Sequence, residues 1–518
     1  MKKIYLFLIG TMALFCSCSE SLLDIKNPNQ ATPDNFWLNA ADAEAGINAC
    51  YSALYKEGTW MRWLSFRYDL SSDEGLSTSP WNELADWTRF IYTNYNFNEG
   101  NNLHWEHFYM AIFRCNQVLK FVPDIDMDET EKARVLGQAR FMRALWYFQI
   151  NLLWEKGPLL TEPSEANYVP VEVSSEQLWT QIETDLKVAI ESLPEQWNDV
   201  NTGRVTLGAA KALLGKAYMQ QGKFGLAKTE LEWLINKEGS LYGLVDNWID
   251  NFTHLNENNI EGIFEIQFDD TNKGGTGNDA SMATGFQRTQ FYAPNGIGWA
   301  DGKARRWLVD EYLKEKRTDG KNDMRLYNSV LYRDYMNDFP DGNIMYYSVN
   351  TQTQWDEKGW GNDCYIRKYN TAYFRDREDY FAPNNYRIMR YADILLNYAE
   401  CILETGGTPQ QAAVYVDKVR TRVGLNKIED SMYASSLNSK EAFMKRLQME
   451  RSLELCFEGW RWADLKRWGL LDTQAGIDEL KSRDPDFNNF VLGKHSRLPL
   501  PQIEVDNSDK GLTQNPKY

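Results

Sequence analysis

Apolar residues recur at i, i+3 and i+4 through eight stretches of the chain: 103–121, 129–154, 175–193, 207–221, 225–235, 388–404, 409–423 and 440–457. That spacing lays an apolar stripe along one face of an α-helix, so each stretch predicts an amphipathic helix. From about 240 to 385 the period breaks. Gly, Asn, Asp and aromatic residues dominate there, and short pieces such as Gly262-Ile263-Phe264-Glu265-Ile266-Gln267-Phe268 read as strands. Long loops and small hairpins are expected. The pattern predicts a mainly α protein in which a helical scaffold, about 40–236 and 388–470, packs against irregular regions at about 57–100 and 240–385.

Within the first block, Leu214-Gly215-Lys216-Ala217-Tyr218 and the later Ala227 have the L-G-x-x-Y…A spacing of a tetratricopeptide repeat. Small residues let two antiparallel helices approach closely, and Gln220-Gln221-Gly222 supplies the turn. The usual tryptophan position is Lys211, so the match is incomplete and any helical hairpin remains an alternative. Tyr398-Ala399-Glu400, Gly406-Gly407 and Ala412-Ala413 form a weaker second copy. Repeat pairs commonly expose a concave face that binds protein, which keeps a protein-interaction or peptide-binding scaffold among the readings.

The N-terminus adds a location. Lys2 and Lys3 precede an apolar run from Ile4 to Phe15, and Ser17-Cys18 follows, the order of a secretory signal peptide (1–17) with a lipoprotein cleavage site. Cys18 would become the first, lipid-bearing residue of a single domain spanning 18–518. An ordinary signal peptide cut elsewhere is the alternative, with Cys16 the nearest competing cysteine. The run is too short to span a bilayer, and no later stretch reaches about eighteen apolar residues. The mature chain is therefore expected to be anchored to a membrane and not inserted in it.

A net charge of −17 argues against nucleic acid, whose phosphates demand Lys/Arg surfaces, and favours neutral ligands. Cys50, Cys115, Cys364, Cys401 and Cys456 are odd in number and scattered, so neither a disulfide framework nor a zinc site is expected. His104 and His107 lie three apart without a third ligand. No carboxylate pair stands out as glycoside hydrolysis would need, and neither His254 nor His495 adjoins a nucleophile motif. The Lys273–Asp279 Gly-rich stretch and the Asp319–Asp323 stretch lack the phosphate-loop and calcium-loop patterns. No cofactor, metal or catalytic residue is assigned, and a glycosidase is the weakest reading.

What remains is an aromatic surplus of 19 Trp, 28 Tyr and 24 Phe, many in polar, loop-like segments. A sugar ring presents a C–H face to a flat aromatic and hydroxyls to Asp, Asn or Arg at the rim. Residues 65–87 offer that mixture in Asp69, Asp73, Glu74, Trp81, Asn82 and Trp87. It recurs at Tyr292 to Trp299 and at Trp355, Trp360, Arg367 and Tyr369. Packing between loop and helix is the alternative for any one of them.

Several segments in order carry a family resemblance: Leu22-Leu23-Asp24-Ile25-Lys26-Asn27-Pro28-Asn29 with Phe36-Trp37, 139–148, Gly203-Arg204-Val205-Thr206, 390–396, Val419-Arg420-Thr421-Arg422 and Thr513-Gln514-Asn515-Pro516-Lys517-Tyr518. The most specific is 450–468, with Glu450, Glu454, Gly459, Arg461 and Arg467. It reads as scaffold: a helix ended at Gly459 and a second begun at once, with those acids and arginines able to pair. Over nearly its whole length the chain resembles the SusD-like (SusD/RagB) nutrient-binding outer-membrane lipoproteins of Bacteroidetes.

The resemblance implies four tetratricopeptide-like repeats beside a loop-rich ligand region, no catalysis, and delivery of glycan to a SusC-like TonB-dependent transporter. It also implies a glycan site at positions matching Asp69, Asp73, Trp81 and Asn82, completed by Trp299 or Tyr292. Ser19, Glu20 and Asp24 are compatible with the acidic signal that directs family members to face outward.

Overall fold

The computed structural model describes residues 36–94, 99–165, 167–271 and 284–518. The leader, Cys18, its downstream acidic residues and the Gly-rich stretch at 273–279 lie outside them. The first block contains helices α1 (Ala40–Tyr51), α2 (Trp63–Leu70), α3 (Asn82–Arg89), α4 (Glu99–Phe121), α5 (Glu129–Trp154), α6 (Ser175–Ser192), α7 (Leu207–Gln220) and α8 (Phe224–Ile235). The middle carries short helices α9 (Arg288–Tyr292), α10 (Arg306–Tyr312), α11 (Met324–Ser329) and α12 (Tyr335–Asp338). Then follow α13 (Tyr391–Glu404), α14 (Pro409–Arg422), α15 (Lys440–Leu455), α16 (Arg461–Arg467), α17 (Gln474–Lys481) and α18 (Gln502–Asn507).

Several helices start where a side chain holds the free backbone N–H groups of the first turn. Asp128 accepts from Thr130 and Glu131 ahead of α5, and Thr206 accepts from Ala209 ahead of α7. Ser174–Gln177 and Thr408–Gln411 form capping boxes at α6 and α14, where Pro409 takes the first position. Neighbours then pack in a row: α4 on α5, α5 on α6, α6 on α7, α7 on α8, α8 on α13, α13 on α14 and α15. At the repeat-like turn, a side chain on Gly215 would press within 2.7 Å of Leu231. The α7–α8 crossing depends on that missing Cβ. Tyr398 on α13 donates to Glu232 on α8 at 2.8 Å, so the second repeat-like hairpin docks on the first.

The eight expected helices are present, with one correction. Residues 388–390 belong to a strand, not to the start of a helix. Numbered in order, the strands are β1 (Gly75–Leu76), β2 (Lys156–Pro158), β3 (Glu172–Ser174), β4 (Gly262–Ile266), β5 (Lys303–Ala304), β6 (Val330–Leu331), β7 (Met345–Tyr346), β8 (Val349–Asn350), β9 (Cys364–Ile366) and β10 (Tyr386–Arg390). β10 pairs antiparallel with β4, Tyr386 opposite Ile266, and all five of its residues are buried. Burial on both faces removes the alternation that marks a strand, which is why helical periodicity ran through it.

The middle is less hairpin-like than expected. β7–β8 is a local hairpin, but β1, β5, β9 and β6 form one antiparallel sheet from four distant segments. Its aromatics make a core of their own. Trp360 is fully buried with its indole N–H on the Asn295 carbonyl at 3.0 Å, and buried Trp355 donates to the Gly361 carbonyl at 2.8 Å. The five cysteines from Cys50 onward are buried and free, and burial pushes the Cys364 thiol up to about 12.

Helix α15 carries the acids of the 450–468 segment into a buried charge network. Glu450 binds Arg325, Arg420 and Arg446 at 2.8–3.0 Å, and Glu454 binds Arg390 at 2.6 Å and Arg325 at 3.0 Å. Arg461 instead holds Asp73, and Arg467 holds Glu400 and Asp464. Glu450, Glu454, Arg461 and Arg467 thus do not pair with one another; apart from the local Arg446–Glu450 and Arg467–Asp464 contacts their partners lie outside the segment, tying α15 and α16 to α11, β10, α13 and α14. The arginines outweigh the desolvation of the two acids, so Glu450 is held down to about 2 and Glu454 lower still. The segment is scaffold, as its composition indicated.

Candidate functional site

The expected ligand residues separate into an interior set and a surface set. Asp69, on α2, accepts from Arg288 Nη1 at 2.8 Å and from the Tyr292 hydroxyl at 3.2 Å. Arg288 also donates to the carbonyls of Phe457 (2.7 Å) and Lys368 (3.2 Å). Asp69 and Tyr292 are therefore parts of a buried knot joining α2, α9 and the end of α15, closed to a ligand in this conformation. Burial raises the Asp69 carboxyl to about 6 although Arg288 opposes it.

Asp73 is fully buried between Arg461 and Arg483. Neighbouring Glu74 is driven up to about 8 by burial. Trp87 has no exposed surface; Arg67 lies 3.6 Å over its ring, and a side chain on Gly100 would strike it. Tyr369 stacks on Tyr386 at 5.4 Å and meets Phe252 edge-on at 5.1 Å, in the core. Arg367 is half-buried, lies over Tyr327 at 4.4 Å and donates to that residue's carbonyl. For these seven the packing alternative describes the structure, because the fold buries them or holds them against its own rings and carbonyls.

Trp81, Asn82 and Trp299 make up the surface set. Trp299 is 46% exposed, the most exposed tryptophan among the described residues, and stands edge-on to Phe291 at 4.6 Å. Trp81, half-buried at the start of α3, lies 6.3 Å from the same Phe291 and 4.8 Å from Trp63. Phe291 thus carries both tryptophans, with exposed Asn82 next to Trp81. Ser79 donates to the Asp301 carboxylate, tying the segment before α3 to the loop of Trp299. That loop folds back tightly: the Trp299 N–H donates to the Gln290 carbonyl at 2.9 Å, and Gly298 passes so near this carbonyl that a side chain would stand 2.2 Å from it.

Tyr380 and Gln290 join the patch and were not foreseen. The Tyr380 ring is 5.9 Å from Trp299, and its hydroxyl accepts from Arg62 at 2.6 Å. Beside Trp299 opens a cleft of about 770 Å³, rimmed by Gln290, Arg375, Arg377, Glu378 and Asp379. The Gln290 side-chain oxygen has no hydrogen-bond partner among the described residues. Tyr380 had no distinguishing signal in the sequence beyond being one more aromatic in a polar loop. The two helix histidines serve elsewhere: His104 Nδ1 donates to the Gly58 carbonyl at 2.6 Å and His107 Nδ1 accepts from the Gly58 N–H at 3.0 Å, with burial lowering them to about 3 and about 4.

A row of antiparallel helix pairs carrying a loop-borne aromatic surface defines the class: a helical-repeat protein with an aromatic and polar face built from its loops. Residues 260–518 match the SusD family, and residues 21–219 match a SusD-like model described as starch-binding and associating with the outer membrane. The chain belongs to the SusD family. It is 24% identical to SusD-like protein P2 of Formosa agariphila over 538 aligned residues that cover both chains in full. A SusD superfamily protein of Bacteroides vulgatus superposes with a TM-score of 0.79 at 26% identity, covering 93% of this chain and 100% of the other. A laminarin-binding SusD-like protein does so with a TM-score of 0.75, the same identity and the same coverage.

Proposed function

We propose that this chain is a cell-surface lipoprotein that captures an oligo- or polysaccharide and passes it, uncleaved, to a SusC-like TonB-dependent transporter. The observation that carries the reading is the pairing of Trp299 and Trp81 on Phe291 beside a polar cleft. Flat indole faces with Asn and charged groups at the rim suit the alternating apolar and hydroxyl surface of a sugar chain. Asn82, Tyr380 and Gln290 are the polar partners, and Cys18 is the lipid attachment that would hold the protein outside the outer membrane. Among the described residues no helix is long and apolar enough to cross a membrane, which is compatible with an anchor.

The test is calorimetry and affinity electrophoresis of the mature protein against a polysaccharide panel. Laminarin comes first, because a structural relative at 26% identity binds it. Saturable binding that Trp299→Ala weakens by about tenfold or more supports the reading. Binding to none of the panel, or release of reducing ends by the purified protein, refutes it. Palmitate labelling lost in Cys18→Ala tests the anchor, and co-purification with a β-barrel partner tests delivery.

A further inference from the structure

The segment that lines the Trp299 cleft carries two further exposed rings at its start. The Phe374 and Arg375 N–H groups both donate to the Thr371 carbonyl, at 3.1 and 3.0 Å, and this turn leaves Tyr373 39% and Phe374 43% exposed. The turn is fixed from the cleft itself. Glu378, buried in the cleft lining, accepts from the Thr371 N–H at 3.0 Å and from the Thr371 hydroxyl at 2.9 Å. Arg375 lines the same cleft, lies 4.9 Å from the Phe374 ring centre, and is held by the Phe381 carbonyl at 3.0 Å and by Asp270. Cleft wall and aromatic turn are therefore one connected piece, with Phe374 standing against a residue that faces the cleft.

His254 supplies a polar edge. Its half-buried ring meets Phe374 edge-on at 4.6 Å and stacks on Tyr373 at 5.5 Å, and Leu255 beside it is 73% exposed. The Tyr373 hydroxyl accepts from the His254 backbone N–H at 3.0 Å, so its own proton goes to the nearer acceptor, His254 Nδ1 at 2.7 Å, and not to Asn384 at 3.4 Å. The imidazole proton is then on Nε2, a donor with no acceptor among the described residues. Arg377, exposed and without an ion pair among the described residues, is a second open donor, on the cleft side. A surface cluster of rings marks a contact site, and ring faces edged by donors suit a sugar better than an apolar protein face.

We propose that Phe374, Tyr373 and His254 form a distal subsite for the same glycan chain, which runs from Trp299 across the cleft to Phe374. The C–H face of one sugar unit would rest on Phe374, and one of its hydroxyls would accept from His254 Nε2. This subsite deepens the glycan reading of the Trp299 surface and rests on it. Its consequence is selection by length. A short oligosaccharide occupies one end, whereas a long one occupies both and gains the second contact as an intramolecular event.

Tri- and heptasaccharides of the β-1,3-, β-1,4- and α-1,4-glucan series are titrated into the full mature protein by calorimetry. In a series that binds, the heptasaccharide is expected to bind at least about tenfold more tightly than the trisaccharide. Phe374→Ala and His254→Gln should each weaken the heptasaccharide by about fivefold and leave the trisaccharide unchanged, which also shows that the variants fold; Trp299→Ala should weaken both lengths. Equal affinity of the parent for the two lengths, or a heptasaccharide affinity that neither variant alters, overturns the distal subsite and leaves the Trp299 reading standing. No binding by the parent in any series overturns the subsite, and a silent polysaccharide panel overturns the glycan reading with it.

Discussion

Arg461 grips Asp73 through two parallel bonds, Nε to Oδ1 and Nη2 to Oδ2, each 2.7 Å long, across 388 residues of sequence. Arg483 adds a third contact to the same carboxylate at 3.2 Å. Replacing the acid strips buried Arg461 of its bidentate partner, whereas Arg483 keeps Glu479 at 2.8 Å. Asp73→Asn should therefore lower the unfolding free energy by about 3 kcal/mol, read by urea denaturation. Binding at the Trp299 surface should change little in the folded fraction.

Trp81 and Trp87 lie six positions apart on one short segment yet should respond in opposite ways. Trp87→Ala opens a cavity beneath Arg67 and Trp63, with an expected stability loss of about 3–5 kcal/mol. Trp81→Ala removes a half-buried ring, should cost less stability, and should weaken glycan binding by about tenfold. Thermal melts paired with calorimetry separate the two outcomes.

Stability should peak on the acid side of neutrality. Glu450 and Asp464 are held down to about 2, so below the unfolded carboxylate range of about 4.5 the unfolded chain binds more protons than the folded one. Their contribution is present above that range and is lost as pH falls toward 2. Glu74, Glu83 and Glu378 are raised to about 8 by burial, so between about 4.5 and 8 they hold extra protons in the folded chain and their contribution falls as pH rises. Burial lowers His104, His107 and His495 to about 3–4, which adds stability as pH rises to about 6.5, so melting temperatures measured from pH 3 to 9 should climb from pH 3 and fall between about 6.5 and 8; a maximum at 8 would contradict the burial of those three acids.

Gly215 is a packing position. Gly215→Val should push Leu231 aside and part α7 from α8, costing about 2 kcal/mol by denaturant titration. Gly222, at φ +69° with open space around it, should accept Asn more readily than Val.

The helical half of this fold was legible because its information is local. Each of the eight apolar stripes is completed within its own stretch, and caps such as Asp128 and Thr408 stand beside the residues they serve. The candidate site was legible only in part. Tyr292 and Trp299 sit seven residues apart in equally polar surroundings, and their fates diverge because Arg288 and Asp69 draw the first inward. Asp69 lies 219 positions from Arg288, a distance over which no local pattern speaks. Aromatic content signalled that a surface existed. Which rings face solvent was decided by partners elsewhere in the chain.

The pairing of β4 with β10 joins residues about 120 positions apart and lies between the two helical blocks. Contacts of such separation form slowly, whereas the α4–α8 row closes through near neighbours. During synthesis, the first block can be assembled while β4 still waits for its partner. The aromatic surface borders this waiting region, so its loops should be the last to order and the first to yield to protease. A chain cut short before Arg390 would keep its early helices and lack a finished face.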